Sequence, residues 1–461
     1  MTHAIGQCDT RALFHKQACN HSKRHSIILP LILPFALCAS SALAASGHFS
    51  KPQNLTPPQN RQTVTGQRIA VNESGQMIAV WQQANQLQAR IFANGSWGPV
   101  TAITQAADSA AIFDLAESSP GQGLAVFSLT SGGQTSAQYS FYAASTWTVP
   151  QAVPSTPGST VVNVRVGFDG QGKATVLWVE KAGAACAVMA ATGTAAAGWS
   201  TPQHLGDGCY PYIQFSENAA GEAVVGLGAP GVGRHGGSPW IVSGRNKAGS
   251  WNALVNLGTG EYATPPSVAI AENGAAVATF SDASLGVQYS RRSRTDGSWS
   301  TPDMVYGGVP AVSTAVAMSK NGTAVVVFNG YYTNVPPAPL LSSTLPKGSF
   351  QWSDPVGVTD SSSEIDTFSV KATPAGTFAV GWSGYPNDTA GPAMGASLLA
   401  PGASAWTASI LDTDTSGSGV YPSPFATDIA VASGHVAAVW NNYDRHAMAI
   451  DQIKVSTTKV K

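Results

Sequence analysis

Acidic side chains crowd two stretches near the C-terminal end: Asp360, Glu364 and Asp366 in one, Asp412 and Asp414 in the other. Two carboxylates held about 5–9 Å apart are what glycosidic bond hydrolysis requires, one as acid and one as base or nucleophile. Short acidic residues also cap turns in polar loops, and that reading takes precedence here. Asp412-x-Asp414, with Ser and Gly nearby, is where a calcium ion would find acidic oxygens, although a full oxygen cage is not visible. No other cofactor is expected. His204, His235, His435 and His446 lack metal-ligand spacing, and no Gly-x-Ser-x-Gly elbow occurs. The sequence assigns no catalytic residue.

Binding chemistry is better represented. Tyr262, Tyr331, Tyr332, Tyr385 and Tyr443 fall in loops without regular spacing, and their ring faces suit the C–H faces of sugars. The tryptophans recur at one point of a repeat, which instead marks packing. Which of these side chains can meet depends on the elements that carry them.

Those elements are written most clearly between Ile69 and Thr104. Three short apolar runs and a fourth opening at Trp97, separated by Gly, Asn and Ser turns, describe a four-stranded antiparallel meander. A turn glycine before an apolar strand recurs at Gly75, Gly123, Gly170, Gly221, Gly274, Gly322, Gly376 and Gly434. The period is about 50 residues, in the range of propeller blades. A tryptophan motif opens the fourth strand at Trp97, Trp147, Trp199, Trp251, Trp299, Trp352 and Trp406, one fewer than the hairpins. Phe49 to Leu55 resembles Trp199 to Leu205, so an N-terminal strand, residues 49–55, is expected to complete the last blade with residues 427–457. The expected fold is all-β: an eight-bladed β-propeller of four-stranded antiparallel blades, closed by that strand, with seven blades as the alternative.

The turn Thr295-Asp296-Gly297-Ser298-Trp299-Ser300-Thr301-Pro302 resembles a degenerate Asp-box of the sialidase-like propellers. The resemblance covers all blades at the level of pattern and implies their architecture. For activity it implies three arginines, a Tyr–Glu nucleophile pair and an acid aspartate. The family's Arg-Ile-Pro signature is absent, and Arg68-Ile69-Ala70 is its nearest echo. Arg291, Arg292 and Arg294 in a third strand read as a solvated face.

Residues 1–44 read as a signal peptide: Lys23 and Arg24 precede the apolar run Ile27–Leu37, and Ala42-Leu43-Ala44 offers a cleavage pattern. Residues 45–461 then form a single propeller domain, exported to the periplasm or the medium. Removing 1–44 takes four basic residues and one acidic residue, moving the formal charge from −1 to −4. No basic cluster supports nucleic-acid binding, and no later apolar run is long enough to span a membrane. The expected state is a monomer. Cys186 and Cys209, at the same end of blade 3, are expected to form a disulfide.

Loops between second and third strands emerge on the face from which each blade is entered, and here those loops are long and variable. First strands start at that face, so Arg68, Asn163, Tyr212, Asp366 and Asp428 are expected around the channel mouth, with Tyr385 and Tyr443 in neighbouring loops. Arg68 and Asp428 can also pair with each other structurally. The expected function is a non-catalytic binding or scaffold role toward a glycan or protein surface; the alternative is a sialidase-like glycoside hydrolase or a polysaccharide lyase.

Overall fold

A computed structural model describes residues 47–56, 63–106, 108–118, 121–229, 237–260, 265–282, 285–307, 311–330, 339–359, 364–386, 391–413, 420–444 and 449–460. Every regular element among them is a β-strand. Eight antiparallel sheets follow one another in the chain, with strands in sequence order from the inside outward, except that the outermost strand of the last sheet comes from the N-terminal segment. The protein is an eight-bladed β-propeller. The inner strands are Val64–Val71, Ser109–Glu117, Thr160–Phe168, Tyr212–Glu217, Ser267–Ile270, Ala311–Met318, Glu364–Ala372 and Val420–Ala432, of blades 1 to 8 respectively. Each packs against the inner strands on either side, and that of blade 8 packs against that of blade 1.

The ring closes with the N-terminal strand. Gln53 pairs with Val455 and Asn54 with Lys454, placing Gln53–Asn54 outside Ala449–Lys459 in blade 8. Leu55 is fully buried in the core shared by blades 1 and 8. The sheet edge that blade 8 would otherwise expose is thereby covered.

Two side-chain positions explain the repeats. Trp81, Phe127, Trp178, Phe280, Phe328, Trp382 and Trp440 stand at one point of the second strands and are almost wholly buried. The outer-strand tryptophans pack in the same clusters, Trp97 with Trp81 and Trp199 with Trp178. Their regular spacing therefore reflects blade-to-blade packing.

The hairpins between first and second strands are built alike. Asn72 Oδ1 accepts hydrogen bonds from Ser74 N and Gln76 N, and Gly75 takes the left-handed φ of 83° that the turn demands. In blades 2 and 3 this conformation belongs to Gly121 and Gly172. Gly123 instead begins a strand, and Gly170 lies against Ala219 of blade 4. The turn frame expected from Gly123 and Gly170 is thus displaced by two residues.

Cys186 and Cys209 form the expected disulfide, with a Cα–Cα distance of 5.0 Å. It ties the start of the third strand of blade 3 to the segment leaving its fourth strand.

Candidate functional site

Register alignment defines one channel-facing position per blade. It pairs with the residue just before the buried aromatic of the second strand, as Arg68 pairs with Val80 before Trp81. The equivalents in blades 2, 3 and 8 are Asp114, Arg165 and Asp428. In blades 4 to 7 they are Gln214, Ser267, Ala315 and Ser369. The next residue in each strand is apolar and packs between blades, as Ile69, Val166 and Ile429 do, because successive strand residues point to opposite faces. Two residues beyond the ring position the side chain is small in every blade except blade 7, where Lys371 stands.

At the ring positions charge therefore alternates around half of the channel, Asp428, Arg68, Asp114, Arg165, and the four remaining ring positions are uncharged. The four charged residues, with Gln214 of blade 4 and Ser369 and Lys371 of blade 7, line a cavity of about 600 Å³. The acidic members couple blades: Asp428 Oδ2 accepts Ile69 N of blade 1 at 3.2 Å, and Asp114 Oδ2 accepts Val166 N of blade 3 at 3.0 Å. Ser267 repeats the contact with Val316 N of blade 6 at 3.0 Å. In all three the donor follows the ring residue of the receiving blade.

The arginines are held from behind. Arg165 donates to Val164 O at 2.9 Å and to Asn163 Oδ1 at 3.0 Å, and Asn163 Nδ2 donates to Pro211 O at 2.7 Å. Arg68 donates to Gln67 O at 2.8 Å. Burial pushes the Asp428 carboxyl above the usual range, against the pull of Arg68 and Lys371. Burial also lowers the Arg165 guanidinium, with Asp114 opposing that effect.

The expected site residues occupy two levels. Arg68 and Asp428 lie in the ring, where Asp428 bonds the backbone beside Arg68. Asn163 stands two residues nearer the mouth, as does Tyr212, which is 45% exposed and in register with Gly228. Asp366 is exposed at a β-bulge between Ile365 and Thr367, a device that re-aims side chains. Tyr385 is 44% exposed opposite Glu364, and Tyr443 is in register with Tyr421. Tyr385 and Tyr443 are in adjacent blades, while Tyr212 in blade 4 stands across the ring from blade 8. Val162 and Leu285, also partly exposed, belong to the same face.

Asp412 Oδ2 accepts Lys454 Nζ at 2.7 Å, Trp440 Nε1 at 3.0 Å and Asn442 Nδ2 at 3.2 Å. That oxygen is a structural acceptor between blades 7 and 8. Asp414, Asp360, Tyr262, Tyr331, Tyr332, His235 and His446 lie outside the described residues. Among the described residues no group of three or more His, Cys, Asp or Glu could hold a metal ion. No helix among them is long and apolar enough to cross a membrane.

Asp114, Arg165 and Lys371 were not singled out by sequence reasoning, although a signal exists. In blades 1 to 7 the ring residue stands seven positions before the left-handed glycine, as Arg68 before Gly75, Asp114 before Gly121 and Arg165 before Gly172; in blade 8 Asp428 stands six before Gly434. Counting back from Gly170 instead lands on Asn163, the expected site residue that proves to support Arg165.

No protein-family model matches the sequence, and no curated protein is similar to it. Solved structures show likeness of fold. The Dos1 propeller is 8% identical over 90% of this chain and 95% of that chain, with a TM-score of 0.50. Polysaccharide lyase Uly1 is 10% identical over 86% and 90%, with a TM-score of 0.46. The GH93 α-L-arabinofuranosidase of Fusarium graminearum, solved with arabinobiose, is 14% identical over 65% and 93%, with a TM-score of 0.39. At these identities the likeness concerns the propeller architecture alone.

Proposed function

We propose that the protein is an exported, monomeric, non-catalytic binding protein whose ligand, a glycan, sits over the channel mouth. The carrying observation is the half-exposure of Tyr212, at the start of an inner strand, and Tyr385, at the end of a second strand, which places both on the mouth face. Aromatic faces beside fixed hydrogen-bonding groups match the alternating C–H and hydroxyl faces of sugars. The disulfide fits an oxidising compartment and supports removal of residues 1–44 as a signal peptide. The two ring carboxylates bond neighbouring backbone N–H groups, which suits a scaffold more than a mobile acid–base pair.

The rival reading is a glycoside hydrolase or a polysaccharide lyase. It draws on Asp428, whose raised pKa beside Arg68 suits a proton donor. A glycan array run with fluorogenic glycosidase and lyase screens separates the two. The binding reading expects array hits without turnover, and at least tenfold weaker binding, about 1.4 kcal/mol, for Tyr212→Ala or Tyr385→Ala. Turnover abolished by Asp428→Asn would establish the rival.

A further inference from the structure

The face opposite the mouth carries a second concavity, a groove of about 860 Å³ between blades 5 and 6. Its charge is unlike that of the molecule as a whole. Arg291, Arg292, Arg294 and Lys347 line it against one carboxylate, Asp303, in a chain with 24 basic and 25 acidic residues. Arg294 is solvated as expected of this stretch, but Arg292 is not. Arg292 is 7% exposed and its Nε has no hydrogen-bond partner. Arg291 is half-buried, and Arg294 and Lys347 reach solvent.

The groove also has a fixed aromatic platform. Phe350 is 78% exposed, and the Arg291 guanidinium lies over its ring, 4.3 Å from the centroid. Arg291 donates to Ser349 O at 3.1 Å, and Tyr289 Oη donates to Phe350 O at 3.1 Å. The turn is further closed by Ser349 N on Pro346 O at 3.0 Å. The guanidinium touches the exposed ring and the hydrogen bonds fix the backbone of its turn, so the platform is organised before any ligand arrives. The neighbouring acids are engaged locally: Asp303 Oδ1 accepts Met304 N at 2.7 Å, and Asp296 accepts Ser298 N and Oγ.

We infer that this groove is a second site, separate from the channel mouth, for an acidic polysaccharide of the uronate type. Its carboxylates meet Arg291, Arg294 and Lys347, while the C–H face of a sugar ring lies on Phe350. Arg292 adds a buried positive charge behind them. A nucleic acid would need a longer basic track to neutralise successive phosphates, and the composition holds none. An acidic peptide would use the cations without needing the ring.

Calorimetric titration with galacturonate oligosaccharides, neutral galacto-oligosaccharides of equal length and poly-glutamate tests this assignment. The galacturonates should bind and the neutral sugars should not. Phe350→Ala and Arg291→Ala should each weaken binding tenfold or more, whereas Phe350→Trp should retain it. Tyr212→Ala and Tyr385→Ala should leave it unchanged, which keeps this result independent of the channel-mouth proposal. Thermal unfolding of each variant verifies that the fold persists. Absence of galacturonate binding overturns the inference. So does equal binding of poly-glutamate with no effect of Phe350→Ala, and so does binding lost with Tyr385→Ala but kept with Arg291→Ala.

Discussion

Blades 2 and 4 place a glutamate at the same point of the inner strand, three residues past the ring position, where most other blades carry an apolar side chain. Glu217 in blade 4 ion-pairs with Arg245 and accepts Thr175 Oγ1 at 2.9 Å, all three side chains being buried. Arg245 also donates to Thr175 Oγ1 and to Gly221 O. Around Glu117 the register puts Tyr142 of blade 2 where Arg245 stands and Ile78 of blade 1 where Thr175 of blade 3 stands. Neither carboxylate oxygen of Glu117 has a hydrogen-bond partner. Burial pushes Glu117 up to about 9. It pushes Glu217 only to about 7, because Arg245 and Thr175 favour the ionised form. One backbone position thus holds a neutral acid in one blade and one half of an ion pair in the other. A buried charge survives where a partner and its hydrogen bonds survive with it.

The largest test of this contrast breaks the ion-paired side. Glu217→Ala strands Arg245 in the interior and should lower stability by about 3–5 kcal/mol in guanidinium unfolding. The double change Glu217→Leu with Arg245→Met should recover much of that loss. A single variant as stable as the parent would show that the ion pair contributes nothing.

The second test concerns pH. The folded-state pKa of Glu117 lies above its unfolded value, so the folded state keeps a proton that the unfolded chain releases. Its contribution is complete below about 4.5 and is lost as pH rises toward about 9. Glu117→Gln should remove this part of the slope, about 1.4 kcal/mol per pH unit, and so gain about 4 kcal/mol on the parent by slightly alkaline pH. Parallel stability–pH curves for parent and variant would refute the assignment.

The smallest change makes blade 4 resemble blade 2. Thr175→Ile removes one donor from Glu217 and should destabilise by about 1 kcal/mol, with the carboxyl moving further up. Unfolding at two pH values, with the Glu217 titration followed by carbonyl NMR, measures both effects.

These two glutamates also show where sequence reading stops. Glu117 and Glu217 stand at the same distance before Gly121 and Gly221, and nothing local distinguishes them. The partner that separates them, Arg245, is contributed by another strand, and Thr175 by another blade. The ring was half legible for a related reason. Arg68 and Asp428 follow from strands entering at the mouth face, but Asp114 and Arg165 were hidden by reading Gly123 and Gly170 as the turn glycines. Arg292 was misread because a third strand lies near the rim in general, whereas this side chain turns inward against Gly244.

Turn chemistry, period-two alternation and the recurring aromatics act over a few residues and repeat in every blade. They were sufficient for the eight-bladed ring, and the match between Phe49–Leu55 and Trp199–Leu205 was sufficient for its closure. Ionisation and recognition depend instead on desolvation and on charges brought within a few ångströms from distant parts of the chain. Those distances exist only after the blades have packed. The alternating half-ring, the unpartnered Glu117 and the basic groove beside Phe350 therefore belong to the assembled propeller, not to any one repeat.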